Sequence, residues 1–308
     1  MRKDLPLLAM AAIYLFVQTG AIFLAPLFMP EFSAFPEPND PINPFIYIFL
    51  VLVMTGIILI LIKYGRKRIV QSIFYVSIFI TMLYVFIPLF LLADQEGTLA
   101  LLASLALAGG LMYLLVKRGE WYVIDGVGLI IAVGVTAILG MSLGILPVII
   151  LLIIMAVYDA ISVYKTKHMI TLAEGVSTMR LPVLFIVPQK EGFSMDNVVK
   201  KGSILPKNDE PRDAFYMGLG DTVIPGLLAV SASLYLPQSA SLLMTANLWA
   251  AAGAMIGGLL GYLVLFRYVL RGRPQAGLPF LDTGAIAGYL IAYALAYGEI
   301  GLGMLGLS

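Results

Sequence analysis

The sequence predicts an all-α polytopic membrane protein with nine transmembrane helices, its N-terminus cytoplasmic and its C-terminus external. Three observations lead there. Of 308 residues, 61% are hydrophobic and only 12% charged, about half the charged fraction of an ordinary soluble domain. Nine apolar runs approach or exceed the roughly 20 residues that a helix needs to cross a ~30 Å hydrocarbon core. All 19 Lys and Arg fall at the N-terminus or in alternate loops.

The first run, 7–28, is longer than the apolar core of a signal peptide and reads as a retained helix. Runs 45–62 and 69–93 are separated by Lys63, Arg66, Lys67 and Arg68, and run 99–116 ends at Lys117 and Arg118. Runs 121–139 and 143–164 are divided only by Gly140, Met141 and Ser142. Runs 214–236, 241–270 and 280–297 complete the set. The whole chain, 1–308, is expected to form one membrane-embedded domain, with helices 1–6 in 1–164, a loop at 165–213, and helices 7–9 in 214–308.

Charge placement sets the orientation. Arg2, Lys3, the loop cations named above, the eight basic residues between 165 and 212, and Arg267, Arg271 and Arg273 share one side. Glu31, Glu37, Asp40, Asp94, Glu96 and Glu299 lie on the other with no basic residue. The positive-inside rule makes the first side cytoplasmic. A miscounted helix would have scattered the cations over both sides. The 165–213 loop is then cytoplasmic. Lys165 to Arg180 continues helix six or follows the membrane surface. Leu181 to Pro188 is too short to span and reads as a strand or an interfacial segment. Gln189 to Arg212 is polar and expected to be mobile.

Several chemistries are excluded. Cys is absent and His168 is the single histidine, so thiolate catalysis, Cys-ligated metals and an HExxH zinc site are ruled out. Neither metal nor organic cofactor is expected, and nothing points to nucleic acid. The surroundings are membrane lipid, in the cytoplasmic membrane if the source is a prokaryote.

Two acids stand out. Asp159 and Asp221 lie inside consecutive apolar runs, where an ionisable side chain is costly and is a functional candidate by default. Asp159 precedes Lys165 by six residues and Asp221 follows Asp213 by eight, giving depths of roughly 9 and 12 Å at 1.5 Å per residue. Antiparallel neighbours would bring the carboxyls face to face. Two carboxyls in contact share a proton; the ionised one takes a proton from water while the protonated one polarises a carbonyl. No buried His or Lys offers a serine nucleophile a base.

Around Asp221 the backbone is unusual. Gly218, Leu219 and Gly220 precede it, and glycine lets a partner backbone, substrate or water approach. Pro225 cannot donate to the Asp221 carbonyl. Local irregularity at membrane depth is tolerated where protein or water covers it.

Tyr158-Asp159 and Gly218-Leu219-Gly220-Asp221 resemble the Tyr-Asp and Gly-x-Gly-Asp motifs of the intramembrane aspartyl proteases, the presenilins and signal peptide peptidases. The resemblance extends to nine helices, acids on six and seven, and a long loop between them. It implies that Asp159 and Asp221 are catalytic and that transmembrane helices of other proteins, or remnant signal peptides, are cleaved within the bilayer. The family's Pro-Ala-Leu motif before helix nine is matched by Leu278-Pro279-Phe280-Leu281, with phenylalanine in place of alanine. The resemblance makes this segment, with the glycines near Asp221, part of the substrate site. Gly218 to Gly226 looks closer to signal peptide peptidases, whereas the N-terminus-inside orientation is presenilin-like.

Other readings remain beside this one. The same acids would suit a proton- or cation-coupled transporter or channel. A prepilin-type peptidase also uses Gly-x-Gly-Asp, but the Tyr-Asp motif and nine helices argue against it. Tyr158 either packs or orients Asp159, although the two point about 100° apart on a helix of 3.6 residues per turn. Asp213 and Asp282 read as helix caps, and Asp125 as an interfacial or helix-dipole residue. His168 reads as a solvated interfacial group. Gly253, Gly257 and Gly261 indicate close helix packing, and the same spacing is compatible with a homo-oligomer. The 181–188 run either lies on the membrane or offers an edge strand to an unwound substrate.

Overall fold

The structure is a computed structural model that describes residues 5–28, 33–94, 97–166, 179–190, 192–201, 213–240, 243–269, 275–298 and 302–306. Six helices come first: α1 (Leu5–Phe28), α2 (Asn43–Lys63), α3 (Lys67–Leu91), α4 (Thr98–Lys117), α5 (Trp121–Ser142) and α6 (Ile145–Ile161). A π-helical turn, Ser162–Thr166, extends α6. There follow β1 (Leu184–Pro188), the short α7 (Met195–Lys201), β2 (Ala214–Gly218), α8 (Leu219–Tyr235), α9 (Ala246–Val269) and α10 (Leu278–Tyr297). Among the described residues eight helices are long and apolar enough to cross a membrane, and α8 is a shorter apolar helix. The protein is a polytopic helical membrane protein.

The chain divides into two compact units: Met1–Met10 with Leu52–Gly134 and His168–Leu219, and Ala11–Val51 with Val135–Lys167 and Gly220–Ser308.

The first unit contains α3, α4, the start of α5 and a two-stranded antiparallel sheet. Leu184 pairs with Gly218 and Pro188 with Ala214. The seventh apolar run therefore does not begin as a helix: 214–218 is strand, and helix starts only at Leu219. Its central Phe215-Tyr216-Met217 suits a half-buried pleated surface, and the partner that selects strand is β1. Phe185 is fully buried, with its ring against Gly128 of α5. Asp125 is not a surface or dipole residue. It is buried, and its Oδ1 accepts the Ile186 N–H at 2.9 Å, fastening β1 to α5. Asp213 caps no helix; it pairs with Lys190 ahead of β2. Glu120 accepts bonds from the Ser194 hydroxyl and the Met195 N–H at the start of α7. His168 and most of the 189–212 stretch outside α7 lie outside the described residues.

In the second unit the break between α5 and α6 falls at Gly144, not at 140–142. The Gly144 N–H donates to the Pro38 carbonyl at 2.7 Å. Ser142 accepts the Ala34 N–H at 2.7 Å and donates to the Ile138 carbonyl within α5. Gly140 is a contact point: a Cβ there would lie 2.6 Å from Val230 Cβ of α8.

The tightest helix pair is α9 with α10. Cβ atoms built on Gly253, Gly257 and Gly261 would lie 2.5, 2.1 and 2.2 Å from the carbonyl oxygens of Gly288, Gly284 and Phe280. These glycines let the two backbones touch, which gains dispersion contacts where lipid offers no hydrophobic drive. Gly257→Ala is expected to force the helices apart and to cost about 1–3 kcal/mol, as overpacking does. A thermal unfolding midpoint in detergent matching wild type would refute that.

Candidate active site

Asp159 closes α6 and is 7% exposed. Its Oδ2 accepts the Leu278 N–H at 3.1 Å, and the Gly277 amide also bonds to its carboxylate. Asp221 lies near the start of α8, in its first turn, and is half-buried. Its carboxyl rests against Gly277: a Cβ built there would lie 3.1 Å from Asp221 Cγ, Oδ1 and Oδ2. Two acids from different helices thus meet at Gly277, the residue before α10, and Asp159 also takes the Leu278 amide.

That backbone is held from α6 as well. The Tyr164 hydroxyl donates to Gln275 Oε1 at 2.9 Å and accepts the Ala276 N–H at 3.3 Å. The π turn makes this geometry available, because i→i+5 bonding widens the helix and places Tyr164 roughly one turn beyond Asp159 on a similar face. The Ser162 hydroxyl donates to the Tyr158 carbonyl at 2.7 Å. Tyr158 itself is half-buried.

The other sequence candidates divide between the units. Gly218 ends β2, so it is a strand residue and not the glycine one turn before Asp221 on a helix. Leu219 donates its N–H to the Val183 carbonyl at 3.1 Å, extending the strand ladder. Both belong to the first unit. Gly220 faces open space, with nothing within 4 Å of a Cβ built on it, which fits an approach route beside Asp221. Pro225 lies inside α8.

In the 278–281 segment Leu278 contributes its backbone amide, while the Leu278 and Leu281 side chains are buried. Pro279 occupies the first turn of α10, where its missing N–H costs nothing. Phe280, standing where the family motif has alanine, turns its ring onto Tyr268 with centroids 5.5 Å apart. The bulkier side chain is therefore taken up against α9.

Asp282 is not a cap. Gly277 occupies the N-cap position of α10, and Asp282 sits inside the helix, 1% exposed. Asp221 and Asp159 both act on it electrostatically. Among the described residues, neither of its oxygens finds a hydrogen-bond partner. Sequence reading took it for a cap, and passed over Tyr164 and Gly277. An acid in an apolar run was the available signal for Asp282, and it is the same signal that singled out the other two. The described residues hold no cluster of three or more His, Cys, Asp or Glu able to hold a metal.

The family profile for signal-peptide peptidase, presenilin aspartyl protease matches residues 11–298. No curated protein matches the chain. Two solved structures are similar over nearly all of it, both of a presenilin family intramembrane aspartate protease. The one in the C222 space group is 37% identical, covers 95% of this chain and 100% of its own, and superposes with a TM-score of 0.70. The one in P2 is 38% identical, covers 96% and 100%, and gives 0.69. A helical membrane fold, an acid near the end of α6 and another in the first turn of α8, and this likeness converge: the chain belongs to the signal-peptide peptidase and presenilin family and is an intramembrane aspartic endopeptidase.

Proposed function

We propose that Asp159 and Asp221 are the catalytic pair of this protease and that they hydrolyse peptide bonds in transmembrane helices of other proteins or in remnant signal peptides. The observation that carries this is the convergence of both carboxyls on Gly277, with Asp159 also holding the Leu278 amide. The ionised acid takes a proton from water as the oxygen attacks the scissile carbonyl, and the protonated acid donates to that carbonyl's oxygen. The proton then passes to the leaving amine. Leu278 N–H fixes the rotamer of Asp159, and the bare α-carbon of Gly277 lets Asp221 close in. No metal or organic cofactor takes part.

The nine-crossing topology is part of the same reading, with α8 as the seventh span; its 17 residues cover about 26 Å at 1.5 Å each. All 19 cations in alternate loops support a cytoplasmic N-terminus.

A helical substrate must unwind before its carbonyls can be attacked, and β2 is suited to receive it. Gln189 N–H bonds the Asp213 carbonyl and Leu219 N–H the Val183 carbonyl, so the odd-numbered residues of β1 face β2. Asp125 takes the Ile186 N–H on the outer edge of β1. Ala214, Tyr216 and Gly218 then present their backbone groups on the outer edge of β2, where an extended segment can pair. Burial and the neighbouring Asp213 push the Tyr216 hydroxyl up to about 12, so it stays uncharged beside that edge. Tyr216→Pro removes an outward N–H without touching the β1–β2 ladder. It is expected to lower cleavage at least tenfold while leaving the unfolding midpoint within a few degrees. Wild-type cleavage rates would sink this reading of β2; the 181–188 run, expected from the sequence to offer the edge, is instead paired with β2 on one side and tied to Asp125 on the other.

Tyr164→Phe deletes two hydrogen bonds to the 275–276 backbone. At roughly 1 kcal/mol each, it is expected to lower kcat about 5- to 30-fold with both acids intact. The function itself is tested by reconstituting the purified protein in vesicles with a single-span substrate and following proteolysis alongside proton and cation flux. Cleavage within the span, without flux, is expected. Flux lost on Asp221→Asn, with no proteolysis detectable in the wild type, would replace the protease with a transporter.

A further inference from the structure

Four polar side chains in the interior of the second unit carry buried oxygen or nitrogen atoms without a well-formed hydrogen bond among the described residues, the nearest approach being that of the Tyr14 hydroxyl to the Gln18 amide. Tyr14 and Gln18 on α1, Thr136 on α5 and Asp282 on α10 are between 0% and 1% exposed. The Tyr14 and Thr136 hydroxyls, both ends of the Gln18 amide and both Asp282 oxygens are without partners among the described residues. Buried polar groups in native proteins are almost always satisfied, and in a hydrocarbon environment an orphan is costlier still. Four together, all close-packed, call for a common partner.

They are contiguous. Tyr14 faces Gln18, one turn along α1, and the Asp282 carboxyl. Its hydroxyl fills the space left by the missing side chain of Gly258, beside Ala285, one turn beyond Asp282 on α10. Gln18 and Thr136 lie together over the α-carbon of Gly226: a Cβ there would sit 2.8 Å from Thr136 Cγ2 and 3.2 Å from Gln18 Cγ. Gly226 is five residues past Asp221 on α8. The row therefore leads from the first turn of α8, which carries Asp221, towards the middle of that helix. Polar side chains from three helices thus gather beside two glycines, and a water bonded to several of them would satisfy the atoms left over.

We propose that Asp282 is a third, proton-bearing carboxyl of the site and that, with Tyr14, Gln18 and Thr136, it encloses a buried water cluster behind Asp159 and Asp221. Asp282 stands one turn beyond Leu278, whose N–H Asp159 accepts, and Asp221, Asp159 and Tyr14 are the ionisable groups that act on it electrostatically; no Lys or Arg among the described residues pairs with it. A carboxyl 1% exposed, with no cation and no hydrogen bond to hold its charge, is neutral rather than ionised. As a neutral acid Asp282 donates one hydrogen bond and accepts others, and so ties the waters to the hydroxyls and the amide. Each turnover consumes one water in a site walled by lipid, and the cluster refills it. Asp282 is thus a positioning residue acting through water. The link to catalysis rests on Asp159 and Asp221 being the catalytic pair; the water site does not.

The test is radiolytic hydroxyl labelling of the intact purified protein in ¹⁸O-water, read by mass spectrometry at Tyr14 and at Tyr64, which is 75% exposed. Tyr14 is expected to take up label within about tenfold of Tyr64 despite being fully buried. Asp282→Leu is expected to lower the Tyr14 label at least fivefold with Tyr64 unchanged, and to lower kcat more than tenfold with KM unchanged. Asp282→Asn, neutral and still polar, is expected to retain the label and most of kcat. An unlabelled Tyr14 in the wild type overturns the water site, with no variant needed. Loss in Asp282→Asn equal to that in Asp282→Leu overturns the neutral-acid assignment. A labelled Tyr14 in an Asp221→Asn chain that still cleaves overturns the catalytic pair but leaves the water site standing.

Discussion

Asp159→Asn is expected to lower kcat for cleavage of a transmembrane substrate by about 10³–10⁴-fold, the scale of a lost general acid or base, while leaving the fold intact. Asparagine keeps the shape of the side chain and an oxygen to accept the Leu278 N–H, so the approach to α10 is held while the chemistry is removed. Asp159→Ala differs: it also strips the partner from a buried N–H, which costs a further ~1–3 kcal/mol of stability. The two variants should therefore share their kinetic loss and differ in unfolding midpoint. Asp221→Asn should match Asp159→Asn in rate, because residues that act as a unit are not additive; the double variant should be scarcely slower than either single one. Single-turnover cleavage with a thermal scan on each sample reads all of this. A double variant slower than the singles by the product of their effects would show two independent acids and no pair.

The second large effect is expected at a residue without a functional group. Gly277→Val sets three carbon atoms where Asp221 Cγ, Oδ1 and Oδ2 stand 3.1 Å from the position of a Cβ. The acid must swing away or the backbone must shift, and that backbone carries the Leu278 amide on which Asp159 depends. Small displacements of reacting groups cost about 10²-fold, and kcat is expected to fall by at least that much. Gly277→Ala, with one carbon, should fall between. Gly109→Ala on α4 is the control, since nothing lies within 4 Å of a Cβ there. If Gly277→Val cleaved at the wild-type rate with its fold retained, Asp221 would not be working against this segment.

Much of this was legible in the sequence, for identifiable reasons. Cations are excluded from the bilayer core, so their positions in alternate loops marked the helix ends to within a few residues. Asp159 and Asp221 declared themselves by the cost of a carboxyl at that depth. What escaped depends on partners distant along the chain. Ala214 to Gly218 continues an apolar run without a break, and periodicity cannot separate a five-residue buried strand from the first turn of a helix; β1, some thirty residues earlier, decides it. Asp282 was misread because the apolar run seemed to begin at 280. The helix begins at Leu278, which moves the acid from the cap into the buried face. Gly140 carried the composition of a break, yet it serves as a contact for Val230. Tyr164 reaches Gln275 only because a π turn follows α6, and no residue in Ser162–Thr166 announces that turn. Gly277 gains its meaning from Asp221, a contact across 56 positions of chain.

The account turns on both acids serving one reacting carbonyl beside Gly277 and Leu278. The most direct test is a structure of the protein bound to a peptidomimetic whose hydroxyl imitates the tetrahedral intermediate. The expected result places that hydroxyl within hydrogen-bonding distance of Asp159 and Asp221 at once, with the Leu278 N–H still bonded to Asp159. An inhibitor seated against only one of the acids, or away from both, would contradict it.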